Sequence, residues 1–228
     1  MIELSKRLTK VADMVKRGNM VADVGCDHGY VSIYLMQKEI SSKVIALDIN
    51  KGPLAKAREH FIKYGYSQIE TRLSNGIEKI EINEVDTILC AGMGGRLAID
   101  IISSDIEKAM SVEEIILQPQ SELEYVRRML QSMGFNIVKE DIVFEAGKYY
   151  PIIKAIPLVL DSRNYENYEY KYGNFLDITN EVYKDFLTSK KIKYEEIVDE
   201  LSKNAISNEA RIEELKEEIK DIERAMKK

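Results

Sequence analysis

Apolar and polar positions follow two alternating patterns along most of the chain, and these patterns predict strands and helices in turn. Short runs of Val, Ile, Leu and Ala predict buried strands, whereas apolar residues that recur every three or four positions predict amphipathic helices. The predicted strands are 20–25, 43–48, 69–73, 85–90 and 114–118, and two further β-rich runs, 135–145 and 149–156, form a hairpin around 146–147. The predicted helices are 3–17, 30–38, 53–64, a segment after 95 that ends near 103, and 121–133.

This order of elements predicts an α/β fold built on a doubly wound, mostly parallel sheet of seven strands. Strands separated by helices run parallel with helices on both faces, and the hairpin adds an antiparallel edge. In such sheets, ligands bind beyond the carboxyl ends of the strands. We therefore expect functional residues in the segments that directly follow strands.

The pattern changes after Pro157, and this change predicts a second, all-helical domain. Residues 161–172 are polar and rich in Tyr, and an apolar face over about 172–190 predicts a helix. From Val198 a heptad indicates a coiled-coil helix. Its two sets are Val198, Ala205, Ile212, Ile219 and Met226, and Leu201, Asn208, Leu215 and Ile222. We predict domains over 1–160 and 161–228 and a helical hairpin within a monomeric chain; dimerisation through the heptad stripe is the alternative.

The composition is that of a globular protein without a membrane segment. The 228 residues are 45% hydrophobic and 32% charged, and no apolar run approaches the about 20 residues that a membrane span needs. The first residues lack the apolar core of a signal peptide, so we expect a cytoplasmic protein. Cys26 and Cys90 have no Cys-x-x-Cys spacing, and the chain holds 2 His. We therefore expect buried thiols, with neither a metal site nor a disulfide.

The turn after the first strand carries acidic residues around a glycine. It reads Asp23-x-Gly25-x-x-x-Gly29, and the next strand ends in Asp48. Such a unit brings a nucleoside-bearing ligand onto bare backbone, with an acidic residue placed for the ribose diol. A dinucleotide turn has a glycine where this chain has Asp27, whose carboxylate would repel a pyrophosphate. The acidic turn favours a ligand with positive charge instead, and S-adenosylmethionine carries a sulfonium and an ammonium group.

Five short motifs are spread over the chain. They are Ser5-Lys6-Arg7-Leu8, Asp23-Val24-Gly25-Cys26-Asp27-His28-Gly29-Tyr30, Ala91-Gly92-Met93-Gly94-Gly95, Leu117-Gln118-Pro119 and Gly147-Lys148-Tyr149-Tyr150. Together with the C-terminal helices, they resemble the bacterial tRNA (adenine-22-N1)-methyltransferases, a class I methyltransferase family. Gln120 departs from the pattern, in which we expect Asn. The resemblance implies a Rossmann-like methyltransferase fold, S-adenosylmethionine as cofactor, and tRNA as the partner in which 1-methyladenosine is formed.

The cofactor-binding residues that follow from the turn and the resemblance come from four segments. They are Asp23, Gly25, Asp27, His28 and Gly29; Asp48 and Ile49; Asn75 and Gly76; and Ala91, Gly92, Met93 and Gly94. Gly25 and Gly29 would form the turn under the methionine moiety. Asp48 would accept hydrogen bonds from both ribose hydroxyls, and Ile49 would pack on adenine.

Three of these assignments have structural alternatives. Asp48 also suits the N-cap of the helix that follows, and Asn75 also suits an ordinary turn. His28 is either a contact of the ligand or substrate or a structural hydrogen-bonding group. A metal-binding role for His28 is disfavoured, because His60 is the other histidine and lies in a predicted helix.

The glycine-rich loop at 91–95 lacks the Asp/Asn-Pro-Pro-Tyr tetrad with which many enzymes of this class hold an amino group. Its bare backbone leaves room for a base and favours methylation of a ring nitrogen. Adenine N1 already has an in-plane lone pair, so positioning and exclusion of water suffice. Asp27 is the candidate catalytic residue, because a carboxylate stabilises the charge that develops on adenine. Its alternative role is contact with the methionine ammonium group.

Basic and aromatic residues near this site are candidate contacts of the RNA. The net charge of −6 argues against nucleic acid, but the first helix concentrates Lys and Arg. The predicted substrate-side residues are Arg7, Lys10, Tyr30, Gln118, Tyr149 and Tyr150. The alternatives are a solvated helix face and rings that pack within the fold.

Other functions share parts of this pattern. A methyltransferase for another RNA base, a small molecule or a protein would have the same cofactor site. A non-catalytic binding module is disfavoured by the intact acidic set, and a nicotinamide dehydrogenase is disfavoured by Asp27.

Overall fold

The computed structural model describes residues 1–158, 165–203 and 209–228. The chain divides into two compact units, residues 1–162 and 163–228. The predicted boundary between residues 160 and 161 lies outside the described residues.

The first unit is built on one seven-stranded sheet in the order β3-β2-β1-β4-β5-β7-β6. The strands are β1 (Met20–Val24), β2 (Lys43–Asp48), β3 (Glu70–Leu73), β4 (Thr87–Met93), β5 (Glu114–Pro119), β6 (Phe135–Glu145) and β7 (Lys148–Pro157). The first five are parallel, whereas β7 runs antiparallel to both β5 and β6. The predicted doubly wound fold is confirmed. The predicted hairpin turn is also correct, because Ala146 and Gly147 both have positive φ, as a two-residue hairpin turn requires.

Six helices of this unit cover the sheet. They are α1 (Lys6–Asp13), α2 (Tyr30–Gln37), α3 (Lys51–Tyr64), α4 (Gly95–Ser103), α5 (Ile106–Met110) and α6 (Leu123–Ser132). The short helix α5 was not predicted. α1 begins later than the predicted helix 3–17, because the hydroxyl of Ser5 accepts a hydrogen bond from Leu8 N and caps the helix there; it also ends earlier, at Asp13. The residues before Ser5 are held by Gln37, whose side chain bonds both N and O of Ile2.

Two apolar cores lie on opposite faces of the sheet. Successive strand residues point to opposite faces, so Val21 and Val44 join the core beneath α1, α2 and α3. Ala22 and Ile45 join the core beneath α4 and α6. This double coverage explains why the parallel strands read as continuous apolar runs.

The second unit contains α7 (Asn167–Tyr172), α8 (Glu181–Lys203) and α9 (Glu209–Ala225). α8 and α9 pack antiparallel, and Lys191 of α8 forms an ion pair with Glu223 of α9 at 2.6 Å. The predicted extents were wrong, because Val198 and Leu201 belong to the end of the first long helix rather than to the start of the second. The heptad spacing is the same in both helices, so periodicity alone does not show where the first helix ends and the second begins. The heptad residues Ala205 and Asn208 lie outside the described residues.

Candidate active site

A cavity of about 350 Å³ opens beyond the carboxyl ends of β1 and β4. Its wall combines four segments of the chain: Arg7 and Leu8 from α1; Asp23, Gly25, Cys26, Asp27, His28, Tyr30 and Val31 from β1 to α2; Ala91 and Gly92 from β4; and Gln120 after β5. Eight of these residues belong to the set predicted from the sequence. Leu8, Cys26, Val31 and Gln120 were not in that set.

The turn between β1 and α2 has a backbone that favours glycine at two of its positions. Gly25 and Gly29 have φ of 70° and 72°, and Asp27 adopts a positive φ of 50°. The N–H groups of Gly25 and Cys26 both donate to the carbonyl of Leu47, at 2.8 and 2.9 Å. A Cβ on Gly29 would lie 2.4 Å from the Phe61 ring, so α3 fills the space behind the turn. The turn is therefore held by β2 and α3 and presents its other side to the cavity.

Asp23 is a buried carboxylate at the base of the cavity. Its Oδ2 accepts a hydrogen bond from the hydroxyl of Ser32 at 2.6 Å. Burial, with a smaller contribution from the nearby Asp48, raises the pKa of Asp23 to about 6, although the hydrogen bonds from Ser32 act in the opposite direction. Burial also raises the pKa of the Cys26 thiol well above its usual range, which rules out Cys26 as a thiolate nucleophile.

Asp48 connects the end of β2 to the turn. It is buried, and its Oδ1 accepts from Asn50 N at 2.8 Å while its Oδ2 accepts from Asp27 N at 3.3 Å. The N-cap residue of α3 is Asn50, so the alternative role of Asp48 as the cap of this helix is not what the structure has. A carboxylate has about four acceptor sites, so Asp48 retains capacity for a diol.

The residues predicted to line an adenine ring lie along the same edge but outside the cavity wall. Ile49 directly follows Asp48 and is 62% exposed. Ser74 N donates to the carbonyl of Asp48, which brings Asn75 and Gly76 beside β2. The amide of Asn75 reaches Glu78 at 3.4 Å, and Gly76 has a positive φ of 57°. An exposed apolar side chain next to a strand-end carboxylate suits the face of a nucleoside.

The glycine-rich segment begins as part of β4 rather than as a separate loop. β4 runs through Gly92 to Met93, whose carbonyl accepts from Gln120 N at 2.9 Å, and Ala91 and Gly92 line the cavity. Met93 packs beneath the turn, because its Cε would lie 3.2 Å from a Cβ on Gly25. Gly94 is the N-cap of α4. Only the first part of the predicted segment therefore faces the cavity.

Arg7 reaches from α1 into the cavity wall. Its Nη1 donates to Oε1 of Gln118 at 2.6 Å, and its guanidinium lies 5.3 Å from the centre of the Tyr150 ring. A Cβ on Gly92 would be 3.6 Å from the same Nη1. Gln118 is 0% exposed, so its side chain contacts Arg7 rather than the surface. Gln118 and Tyr150 thus lie behind Arg7 and hold it.

The remaining predicted RNA contacts are distributed around this centre. Tyr30 lines the cavity and is 38% exposed. Lys10 does not line it, and its ammonium forms an ion pair with Asp141 at 2.9 Å. Tyr149 packs against Phe144, with ring centres 4.7 Å apart. The structure thus brings Arg7 and Tyr30 to the cavity and leaves the other two side chains on nearby elements.

A pair of histidines adjoins the turn. His28 lines the cavity, and its buried Nδ1 has no hydrogen-bond partner in the part of the chain that the structure describes. His60 lies on α3 behind the turn, with its Nδ1 2.9 Å from the carbonyl oxygen of His28. Its ring stacks on Tyr30 with centres 4.8 Å apart. Sequence reasoning missed this role, because the spacing of His60 from the turn carries no local signal.

Comparison with known proteins identifies the chain. The model of the methyltransferase-domain family matches residues 4–153. A tRNA (adenine(22)-N(1))-methyltransferase from Bacillus subtilis (strain 168) is 36% identical over 155 residues, which are 68% of this chain and 65% of that protein. The chain belongs to the methyltransferase-domain family. The match spans a little less than two thirds of the B. subtilis relative.

Solved structures extend the likeness over the whole chain. A Streptococcus pneumoniae protein assigned as a tRNA (m1A22) methyltransferase, in complex with S-adenosyl-L-methionine, is 31% identical, with a TM-score of 0.84 over 98% of this chain and 100% of that one. TrmK from M. capricolum, in complex with S-adenosyl-homocysteine, is 28% identical, with a TM-score of 0.82 over 97% of this chain and 96% of that one. The predicted family resemblance is confirmed.

Two further observations concern the described residues as a whole. They include no group of three or more His, Cys, Asp or Glu side chains that is arranged to hold a metal ion. None of the helices they form has the length and apolar character to cross a membrane.

Proposed function

We propose that this protein transfers a methyl group from S-adenosylmethionine to N1 of adenine 22 in tRNA and thereby forms 1-methyladenosine. The observation that carries the proposal is the cavity itself. Asp23 and Asp27 line it, Asp48 bonds the same turn, and Gly92 offers bare backbone opposite them. An acidic cavity at the switch point of a methyltransferase sheet suits a cationic methyl donor.

In this proposal, different residues of the chain bind different parts of the cofactor. The turn from Gly25 to Gly29 lies under the methionine part, with Asp23 and His28 beside it. Asp48 binds the ribose diol, and Ile49 covers one face of the adenine. The other members of this set are Asn75 and Gly76 at the adenine edge, Ala91 and Gly92 near the methyl group, and Met93 and Gly94, which support the cavity wall from behind.

The reaction needs little acid–base chemistry. S-adenosylmethionine supplies the methyl: the S–CH3 bond breaks as the N1–CH3 bond forms, sulfur keeps the electron pair, and the positive charge passes to the adenine. In this proposal Asp27 stabilises that charge; the support is that Asp27 lines the cavity with its side chain 70% exposed. The rest of the site positions the base and excludes water.

The RNA side of the site is formed by Arg7 and Tyr30. Adenine N1 in folded tRNA faces a partner or a stack, so the base must be drawn into the cavity at a cost of about a few kcal/mol. Tyr30 offers an exposed ring at the cavity, and Arg7 offers a fixed cation for a flanking phosphate. Lys10 and Tyr149 would extend the contact along β6 and β7, with Gln118 and Tyr150 supporting Arg7.

The test is methylation of unmodified tRNA with labelled S-adenosylmethionine, followed by mapping of the modified nucleotide. The expected product is 1-methyladenosine at position 22, and the matched control is the same tRNA with G at that position, which should take up no label. Label in another base, in N6-methyladenosine, or in a protein or small-molecule fraction would assign the chain a different methyltransferase substrate. Binding of a nicotinamide dinucleotide in place of S-adenosylmethionine would refute the cofactor assignment.

We further propose that the protein acts as a monomer in the cytoplasm, where its tRNA substrate is found. The apolar side chains Leu187, Leu215 and Ile222 of α8 and α9 are buried within one chain, so the helices need no second copy to cover them. Sedimentation of a dimer at micromolar concentration would refute the monomer.

A further inference from the structure

His60 connects the cofactor side of the site to the RNA side without lining the cavity. Its Nδ1 lies 2.9 Å from the carbonyl oxygen of His28, and a carbonyl only accepts, so Nδ1 carries the proton. Its ring is stacked on that of Tyr30, with centres 4.8 Å apart and planes inclined by 22°. One side chain therefore contacts both the turn and the ring beside it.

The turn depends on supports of this kind. Asp27 and Gly29 flank His28 and both have positive φ, a conformation that costs free energy for a residue other than Gly. The Phe61 ring fills the space behind Gly29, and the hydrogen bond from His60 fixes the carbonyl one residue earlier. Adjacent residues of α3 thus hold adjacent residues of the turn.

Tyr30 is placed where a base would arrive. Its ring lines the active-site cavity and also a neighbouring cavity of about 480 Å³, whose wall includes Leu4, Leu8 and Tyr64. The ring of His60 stacks on the Tyr30 ring, and the ring of His28 lies 6.1 Å from it. Tyr30 nevertheless remains 38% exposed.

We propose that His60 is a positioning residue with two separable tasks. Its Nδ1–H holds the carbonyl of His28 and so keeps the turn in the shape that binds the cofactor. Its ring holds Tyr30 in the orientation that receives the target base. The second task rests on the proposed function, whereas the first requires only that the turn binds S-adenosylmethionine.

Two substitutions separate the tasks. His60→Asn keeps an N–H donor at nearly the same distance from the backbone but removes the ring. His60→Phe keeps a ring but removes the donor. Glu59→Gln, at an exposed position on the same helix, is the matched control, and thermal melts verify that each variant is folded.

Calorimetry with S-adenosylmethionine measures the first task. His60→Phe is expected to raise Kd about three- to tenfold, the value of one hydrogen bond, whereas His60→Asn stays within about twofold of the wild type. Steady-state methylation of tRNA measures the second task. His60→Asn is expected to raise KM for tRNA about three- to tenfold, the value of one aromatic contact, with kcat little changed, whereas His60→Phe leaves this KM near the wild-type value.

Several outcomes would overturn the proposal. If both variants lose cofactor affinity and tRNA affinity together, in proportion to lost thermal stability, His60 is only structural. If neither variant differs from Glu59→Gln, His60 has no part in the site. The calorimetric measurement uses no RNA, so wild-type protein that binds S-adenosylmethionine but leaves adenine 22 unmodified would refute the proposed function and still decide the first task.

Discussion

The contact between Arg7 and Gln118 allows the internal role of Arg7 to be separated from its proposed role toward RNA. The guanidinium donates to Gln118 at 2.6 Å and also faces the cavity beside Gly92. The first contact stabilises the fold, whereas the second is the one that would serve the proposed binding of RNA. Arg7→Ala removes both, and a second substitution at Gln118 relieves only the stability cost of losing the first.

The expected cost to stability follows from the burial of Gln118. With Arg7 replaced by Ala, the Oε1 atom of a side chain that is 0% exposed loses its charged donor. A hydrogen bond to a charged group contributes about 1.5–3 kcal/mol, so the free energy of unfolding should fall by about that amount. Gln118→Met has a similar length and no oxygen to leave unpaired. The double variant should therefore recover about 1–2 kcal/mol of the loss.

The assay compares stability with activity in Arg7→Ala, Gln118→Met and the double variant, each against the wild type. Urea denaturation gives the free energy of unfolding, and methylation of tRNA gives KM and its salt dependence. We expect the double variant to be nearly as stable as Gln118→Met alone, while its KM for tRNA stays about tenfold above the wild-type value. The slope of log KM against log salt concentration should fall by about the amount that one phosphate contact contributes.

Lys16→Ala is the matched control, because Lys16 lies just after α1 and pairs with the exposed Glu113 at 2.7 Å, away from the cavity. Its KM for tRNA should stay within about twofold of the wild type, since surface ion pairs contribute little. If the double variant regains wild-type KM along with its stability, Arg7 acts only through Gln118, and its assignment to RNA is wrong.

Three further substitutions test the turn and its carboxylates. Asp48→Ala should weaken S-adenosylmethionine binding by about tenfold or more in calorimetry, because a charged acceptor of the diol is lost, and an unchanged Kd would remove Asp48 from the ribose site. Gly29→Ala should destabilise the protein by at least about 1–3 kcal/mol in urea, because φ is positive and the new Cβ would meet the ring of Phe61 at 2.4 Å. Gly18→Ala has a similar φ and nothing within 4 Å, so an equal loss there would show that backbone strain alone is responsible. Asp23→Asn should stabilise the protein at pH 7 by up to about 3 kcal/mol. Burial raises the pKa of Asp23 from about 4 to about 6, so the wild-type protein loses this much free energy of unfolding as the pH rises from about 4 to about 6. Equal stability differences at pH 4 and pH 7 would contradict that account.

The fold was predictable because periodicity is a local property of the sequence. The five parallel strands and the hairpin were found from apolar runs and turn residues, and each lies within a few residues of its predicted extent. The same locality explains the failures. The heptad keeps the same apolar spacing in both helices, so it does not reveal that α8 ends at Lys203 and that α9 begins at Glu209. α5 has only five residues, too few for a helical period to be visible.

The residues of the site also fall into those that local sequence predicts and those that it does not. Asp23, Gly25 and Asp48 could be predicted as candidates because a strand end and the turn after it are formed by consecutive residues. The role of His60 depends on how α3 packs behind the turn, and the contact of Arg7 with Gln118 joins residues 111 positions apart. Such contacts are set by the tertiary fold, so a single sequence does not reveal them. The roles of the cofactor and RNA residues stay predictions until the variants above are measured.

The acidic turn lowers the stability of the protein at neutral pH, and a cationic ligand would relieve this cost. Asp23 is buried with the hydroxyl of Ser32 as its donor, and the charge of Asp48 adds to its unfavourable surroundings. Folding alone gives no reason for a carboxylate at this position, because a neutral residue of the same shape would be more stable at pH 7. A bound cation reverses this balance, since it lowers the pKa of the carboxyl and converts the cost into binding free energy. Asp23→Asn should therefore gain stability and lose affinity for S-adenosylmethionine together. A variant that gains stability yet binds the cofactor as the wild type does would show that the charge of Asp23 plays no part in recognition of the sulfonium or ammonium group.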